Sequence, residues 1–148
     1  MKFTNLFPIA YAHCDVPCGL YDPKAAQTAA ETIIKMVEKI QALPKENLAV
    51  EDQNSLVRYI WTKEEHARIG KHELTVLWAD FFKEEDLKDF PDLHSTFWEA
   101  LKLCSYNKQH VDLEKAKELK AAVDNIADIF HKVKTARAKW VSQSLSLK

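Results

Sequence analysis

Glycine and proline, the residues that interrupt helices and form tight turns, are scarce in this chain. Its 148 residues include two glycines and five prolines, whereas a protein built from many β-turns needs such residues repeatedly. A chain of this length is expected to form one domain around one continuous core. The scarcity of turn residues therefore favours an all-α fold.

Apolar residues recur at every third or fourth position along four stretches, which is the spacing of one buried helix face. The first stretch opens with Asp22-Pro23, an N-cap acceptor followed by the proline that suits the first helical position. The four predicted helices run from Asp22 to Leu43, from about Glu51 to Phe82, from Phe90 through Cys104, and along the stripe from Ala116 to Val133. Four amphipathic helices joined by short connections predict a four-helix bundle.

The second and third predicted helices carry three features that bear on packing. The charged run from Lys63 to Arg68 is expected to form a solvated or inter-subunit helix face. Gly70, a little further along, is expected to mark a bend or a close helix contact. On the third helix Cys104 falls on the apolar stripe, so a buried and inert thiol is expected there.

The charge balance of the chain excludes two classes of function. Lys and Arg together number 21 against 22 for Asp and Glu, so the formal net charge is -1. No basic excess is available to neutralise phosphates or anionic lipid, which argues against a nucleic-acid or membrane-surface protein.

No apolar run approaches the ~20 residues that span a bilayer. A cytoplasmic location is therefore expected, with export or an organelle as the alternatives.

The first twelve residues differ in character from the rest of the chain. They carry one lysine and a short apolar stretch, and they end in Ala10-Tyr11-Ala12, which has the small-x-small pattern of a cleavage site. A secretory signal is usually longer, so we interpret residues 1–12 as a leader or pro-segment removed by a processing protease. The functional domain would then be residues 13–148, with a hook at 13–21 and the bundle at about 22–141.

The hook, residues 13–21, reads His-Cys-Asp-Val-Pro-Cys-Gly-Leu-Tyr and contains two of the three cysteines. If His13 becomes the N-terminus, its amine, the Cys14 amide nitrogen and the Cys14 thiolate can form two fused five-membered chelate rings. Cys18 can supply a fourth donor, and the His13 imidazole can reach an axial position. Two nitrogens and two thiolates in a plane suit a d⁸ ion, for which Ni(II) is the usual candidate. A disulfide or half of a zinc site are the alternatives for the two cysteines.

The hook closely resembles that of the nickel superoxide dismutases, whose mature chains begin His-Cys-x-x-Pro-Cys-Gly-x-Tyr. A weaker likeness extends over Leu74–Lys83 and Phe90–Leu103, which are similar to the second and third helices of that family. The resemblance implies a helical-bundle subunit with one nickel ion, superoxide as the substrate, Ni(II)/Ni(III) cycling, removal of the leader, and a homohexamer with the hooks at subunit contacts.

The same resemblance assigns roles to individual residues of the hook. The nickel ligands that it implies come from His13, Cys14 and Cys18. It also places Tyr21 and Asp15 near the open face of the metal, where they help to limit access and to hold water.

The chain departs from the family in the support of the metal-bound imidazole. In some members a Glu on the first helix and an Arg on the second orient this ring, whereas a gapped alignment places Ala29 and His66 here. A metal-bound imidazole normally needs such a partner, so other side chains or a neighbouring subunit would have to supply it. Two rival functions are a nickel- or copper-binding carrier without turnover, and a structural helical oligomer whose hook forms a disulfide.

Overall fold

The computed structural model describes the backbone of residues 20–146 and the side chains of residues 20–138. Its four α-helices are α1 (Lys24–Gln41), α2 (Val50–Val76), α3 (Leu93–Gln109) and α4 (Leu113–Ser146), and there is no β-strand among the described residues. The predicted all-α four-helix fold is confirmed, and the third and fourth helices extend beyond their predicted stripes. None of these helices is both long enough and apolar enough to cross a membrane.

Consecutive helices run antiparallel, and α4 closes the bundle by packing against α1 as well as α3. Polar contacts fix this arrangement, for example the bond from Gln27 Nε2 on α1 to Asp124 Oδ1 on α4, at 2.9 Å. We call the end at which α1 begins and α2 ends the hook end, because the hook precedes α1 in the chain. The opposite end, where α3 ends and α4 begins, is called the far end.

The core consists of the apolar stripes of all four helices. Its members that are at most 2% exposed include Ala26, Ile33 and Val37 of α1, Leu74 of α2, Phe97 and Ala100 of α3, and Leu119, Val123, Ile126 and Phe130 of α4. Because these stripes face one another, a single continuous core fills the bundle, as a domain of this size requires.

Gly70 of α2 marks a close contact between helices, one of the two predictions made for it. A β-carbon built on Gly70 would lie 3.4 Å from the Ala29 Cβ of α1 and 3.9 Å from the Cys104 Sγ of α3. These are ordinary van der Waals distances, so three helices meet around Gly70 near the middle of the bundle. Cys104 is 1% exposed, and burial raises the pKa of its thiol to about 12. The predicted buried, inert thiol is thus confirmed.

The far end is closed by Lys63, and here the prediction of a solvated charged face was wrong for one residue. Lys63 is 2% exposed, and its Nζ donates to the backbone carbonyls of Asn107, at 2.5 Å, and Lys108, at 2.9 Å. These carbonyls belong to the last turn of α3, whose final carbonyls have no partner within the helix. A charged lysine is tolerated in this buried position because its ammonium group donates to two carbonyl oxygens that otherwise lack a donor.

The link from α2 to α3 consists of two irregular helical turns. A π-helical turn (Leu77–Phe81) continues directly from α2, and a 3₁₀ turn (Glu84–Lys88) follows it. The backbone N–H of Phe82 donates to the Leu77 carbonyl, five residues earlier, at 3.2 Å. The predicted second helix ended at Phe82, so its length is confirmed but its regular α geometry is not. Both irregular turns lie at the hook end.

Candidate metal centre

Four of the five predicted site residues, His13, Cys14, Asp15 and Cys18, lie outside the described residues. Tyr21, the fifth, is described, and so are Leu20 before it and Asp22 and Pro23 after it. The structure therefore shows where the hook joins the bundle and what surrounds its last residue.

Tyr21 is half-buried at the start of the bundle. Its ring meets the ring of Phe81 edge to face, with centroids 5.7 Å apart and an interplanar angle of 61°. Pro23 is buried, whereas Leu20 is 81% exposed. The bundle therefore covers Pro23 and part of Tyr21 but leaves Leu20 exposed. Cys18, the last of the predicted ligands, precedes Leu20 by two positions in the sequence.

The ring that Tyr21 contacts belongs to an aromatic cluster formed by the π-helical turn, α3 and α4. Its centroid distances are 4.9 Å for Phe81 to Phe82, 4.3 Å for Phe81 to Phe130, 5.5 Å for Phe82 to Phe97 and 6.1 Å for Trp78 to Phe97. Rings at such separations attract one another beyond the effect of burial alone. Tyr21 thus packs against a side of the bundle that is itself closely packed.

The π-helical turn and the residue after it supply rings of this cluster. The turn ends at Phe81, and Phe82 follows it with an extended backbone. Both rings lie inside, 8% and 7% exposed. π-helical turns occur frequently at functional sites. Apolar periodicity in the sequence did not signal this irregularity.

Two charged side chains hold the segment after the π-helical turn. Arg137 of α4 donates to the Phe81 carbonyl, at 3.1 Å, and to Asp86 Oδ2, at 2.6 Å. Asp86 Oδ2 also accepts the backbone N–H of Lys83, at 2.8 Å, at the start of the 3₁₀ turn. Trp78 Nε1 donates to His94 Nδ1 at 2.9 Å and so ties the π-helical turn to α3. None of these contacts was foreseen from the sequence.

The two residues aligned with the imidazole support lie on facing helices. Ala29 is 1% exposed and belongs to the close contact with Gly70. That contact explains the small residue at position 29, because a longer side chain would collide with α2. His66 is half-buried, and its Nδ1 lies 2.8 Å from the Thr62 carbonyl of its own helix, so this nitrogen donates within α2. Neither residue reproduces the Glu and Arg pair.

Among the side chains that the structure describes, no three His, Cys, Asp or Glu residues group closely enough to hold a metal ion. Four of the histidines on the helices are exposed, namely His72, His94, His110 and His131. Their positions in the sequence do not follow a spacing typical of metal ligands. The donor set named in the sequence analysis, His13, Cys14 and Cys18, precedes this part of the chain.

The nickel-containing superoxide dismutase family matches residues 8–134 of the chain. The superoxide dismutase [Ni] of Streptomyces seoulensis is 35% identical over 125 residues, which are 84% of this chain and 90% of that protein. The corresponding protein of Streptomyces coelicolor is 33% identical over 125 residues, with the same coverage.

Solved structures show the same likeness in three dimensions. A crystal structure of a nickel-containing superoxide dismutase, with nickel ligation corresponding to the oxidised state, superposes with a TM-score of 0.74 at 35% identity. The superposition covers 83% of this chain and 99% of that one. A native nickel superoxide dismutase structure gives a TM-score of 0.72 at 33% identity, over 82% of this chain and 99% of that one.

Proposed function

Since the chain belongs to the nickel-containing superoxide dismutase family, we propose that it converts superoxide to oxygen and hydrogen peroxide at a nickel site built by its hook. It is an oxidoreductase acting on superoxide, and its cofactor is nickel, as in the relatives that share its sequence. The observation that carries the proposal is the sequence His13-Cys14-x-x-Pro17-Cys18-Gly19-x-Tyr21, which lies inside the matched residues 8–134.

The donor set of the hook fits nickel. The thiolates of Cys14 and Cys18, the Cys14 amide nitrogen and the free amine of a chain beginning at His13 would hold the ion, with the His13 imidazole as a fifth ligand. Thiolate and deprotonated amide donors suit a square-planar d⁸ ion, and they would lower the reduction potential of the Ni(III)/Ni(II) couple. When bound, nickel supplies one-electron chemistry by alternating between its 2+ and 3+ states.

The protein's own groups would control access and protons. The conversion of two superoxide ions consumes two protons and yields one oxygen molecule and one hydrogen peroxide. We assign to Tyr21 and Asp15 the tasks of limiting access and holding water beside the metal. The packing of Tyr21 against Phe81, at a centroid distance of 5.7 Å, supports this assignment because it holds the Tyr21 ring against the bundle.

Assembly and processing complete the proposal. A protease would remove residues 1–12, and six subunits with one nickel ion each would assemble with their hooks at subunit contacts. Both elements rest on the likeness of the hook to that of the family. They explain why a small bundle places its chemistry on an N-terminal appendage.

The proposal is tested by comparing two forms of the protein, each mixed with nickel. The full chain carries an amide at the nitrogen of His13, so it lacks the basic amine of the first chelate ring. We expect little dismutase activity from the full chain and high activity from a chain cut to begin at His13. Equal activity in both forms would rule out the proposed ligand set.

The His13→Ala variant separates an enzyme from a nickel or copper carrier. This change keeps the terminal amine and removes only the imidazole. An enzyme should retain Ni(II) but lose most of its turnover, because the fifth ligand stabilises mainly the oxidised metal. Nickel content and superoxide consumption are measured on the same sample. Full occupancy with undiminished turnover would remove the imidazole from the mechanism.

A further inference from the structure

We infer that Arg137 of α4 is a positioning residue for Tyr21, acting through Phe81, and thereby sets the entrance to the metal site. The contacts among these three residues lie within the bundle and can be tested without nickel. The claim about the entrance rests on the proposed function.

Arg137 makes three interactions with one short segment. Its guanidinium donates to the Phe81 carbonyl and to Asp86 Oδ2, at 3.1 Å and 2.6 Å, and it lies over the Phe81 ring, 4.7 Å from the centroid. A planar guanidinium can bond in its plane and stack on a ring at the same time, which a lysine ammonium cannot do. The side chain of Arg137 is 32% exposed and that of Asp86 is 9% exposed, so the ion pair is largely shielded from water.

The segment that Arg137 holds contains a backbone carbonyl that lacks a donor within its own helix. The π-helical turn ends at Phe81, whose carbonyl no longer has a helical N–H to accept. Arg137 supplies that donor and, through Asp86, also ties the start of the 3₁₀ turn, where the Lys83 N–H meets the same carboxylate oxygen at 2.8 Å. Phe81 is therefore fixed at its ring and at its backbone by the same residue.

Phe81 passes this constraint to Tyr21. Its ring meets the Tyr21 ring edge to face, and the guanidinium of Arg137 lies over it. A shift of the Phe81 ring would change the surface on which Tyr21 packs. Tyr21 in turn stands three positions after Cys18 in the sequence, in the same hook that carries the proposed ligands.

The family likeness does not assign this role. The family match ends at residue 134, whereas α4 continues to Ser146 and Arg137 lies on that continuation. The sequence analysis likewise gave no function to Arg137. The inference rests on the contacts just described, which join residues 56 and 51 positions apart in the chain.

The contact is tested without nickel by fluorine NMR of a chain labelled with 3-fluorotyrosine. The chain has four tyrosines, and the Tyr21 signal is identified by its loss in Tyr21→Phe. We expect Arg137→Met, which keeps the aliphatic stem and removes the guanidinium, to move the Tyr21 signal towards its position in the urea-unfolded chain. Asp86→Asn, which removes the charge partner alone, should move the signal in the same direction by less.

Lys134→Met is the matched control. Lys134 also lies on α4 with its Nζ 5.3 Å from the centroid of an aromatic ring, but that ring belongs to Phe130. The Tyr21 signal should stay in place in this variant. A signal that is unmoved by Arg137→Met and Asp86→Asn, or moved equally by Lys134→Met, would overturn the inference. Should Arg137→Met fail to fold by circular dichroism, Asp86→Asn decides alone.

The effect on the entrance is measured with azide, a small anion used as a probe of access to the metal site. In nickel-loaded chains beginning at His13, Arg137→Met should change the azide inhibition constant by roughly threefold or more, the scale of coupling between neighbouring residues. The change should vanish in a Tyr21→Ala background, because Arg137 acts through Tyr21. An equal change in both backgrounds would overturn the claim about the entrance. A wild-type chain without dismutase activity would instead refute the proposed function, and the fluorine signal would still decide the contact.

Discussion

The two ends of the bundle are closed in different ways. At the far end, one buried lysine on α2 donates two hydrogen bonds to the last carbonyls of α3, so one side chain joins two regular helices. At the hook end, irregular π-helical and 3₁₀ turns bring aromatic rings together, and Arg137 of α4 holds them from outside. The contacts at the far end supply donors to the last carbonyls of a helix and contribute to stability. At the hook end, irregular turns replace regular helix and form the surface on which Tyr21, the one described residue of the proposed site, packs.

This contrast implies that chemistry and stability can be altered separately. Leu20, one of the two described residues of the hook, is 81% exposed, and the predicted ligands precede it in the sequence. Changes in the hook should therefore affect turnover alone, whereas changes at the far end should affect the free energy of unfolding alone. Substitutions at three places, the hook cysteines, Lys63 and Asp22, test this separation in order of decreasing expected effect.

The largest effect is expected from the hook cysteines. Cys14→Ser and Cys18→Ser should each reduce dismutase activity to the level of nickel-free protein, because a serine hydroxyl barely ionises at neutral pH and is a poor nickel ligand. Helical content measured by circular dichroism should be unchanged in both variants. If helical content fell together with activity, the hook would be part of the fold, and the contrast between chemistry and stability would fail.

Cys104→Ser is the matched control for the hook cysteines. It places the same hydroxyl in the core, where the wild-type residue is 1% exposed. Burying a hydroxyl without a dependable partner should lower the free energy of unfolding by about 1–3 kcal/mol. Turnover per folded, nickel-loaded subunit should be unchanged.

The contrast also shows what the sequence could predict. Helix positions, the start of α1 and the burial of Cys104 follow from local patterns, because apolar spacing and N-cap residues act over a few positions. The hook ligands stay a prediction, made from residues that are so close together in the chain that they need no tertiary structure to meet. α1 begins one residue later than the Asp22-Pro23 signal predicts, with Pro23 as its N-cap, and the Lys24 N–H donates to Asp22 Oδ1 at 2.7 Å.

The contacts that the sequence did not reveal join residues far apart in the chain. Lys63 and Asn107 are 44 positions apart, and Arg137 and Phe81 are 56 apart. In both cases a charged side chain that local patterning assigns to solvent instead meets backbone carbonyls at the end of another element. Periodicity describes which side of a helix is apolar, but it does not indicate where the terminus of a different helix will lie.

A smaller effect is expected at the far end, from Lys63→Met. The variant keeps the length of the side chain but leaves the carbonyls of Asn107 and Lys108 without their donor, so the free energy of unfolding should fall by about 2–4 kcal/mol. Turnover per bound nickel should not change. Urea unfolding and a dismutase assay on the same preparation provide the comparison.

Lys63 also gives this prediction a dependence on pH. Burial lowers the pKa of Lys63, and the nearby Glu64 charge raises it by a smaller amount. The unfolded chain therefore holds this proton more tightly than the folded one. The free energy of unfolding should rise with pH in the window below the ordinary lysine pKa of 10.5, and this rise should be missing from Lys63→Met. Lys71→Met, which removes only an exposed bond to Ser105, should behave like the wild type.

The smallest effect is expected from Asp22, at the junction between the hook and α1. Asp22→Ala removes the acceptor of the Lys24 N–H and should cost about 1 kcal/mol, whereas Asp22→Asn retains an acceptor oxygen and should cost less.

Turnover per bound nickel should be the same in both Asp22 variants, because the buried Pro23 and the packing of Tyr21 on Phe81 hold the chain at this point without the cap. Thermal unfolding and steady-state turnover are compared in chains beginning at His13. A large loss of turnover in Asp22→Ala with little change in stability would place Asp22 in the metal site. The boundary between the part of the chain that serves chemistry and the part that serves stability would then lie after Asp22, directly before α1, and not at the end of the hook.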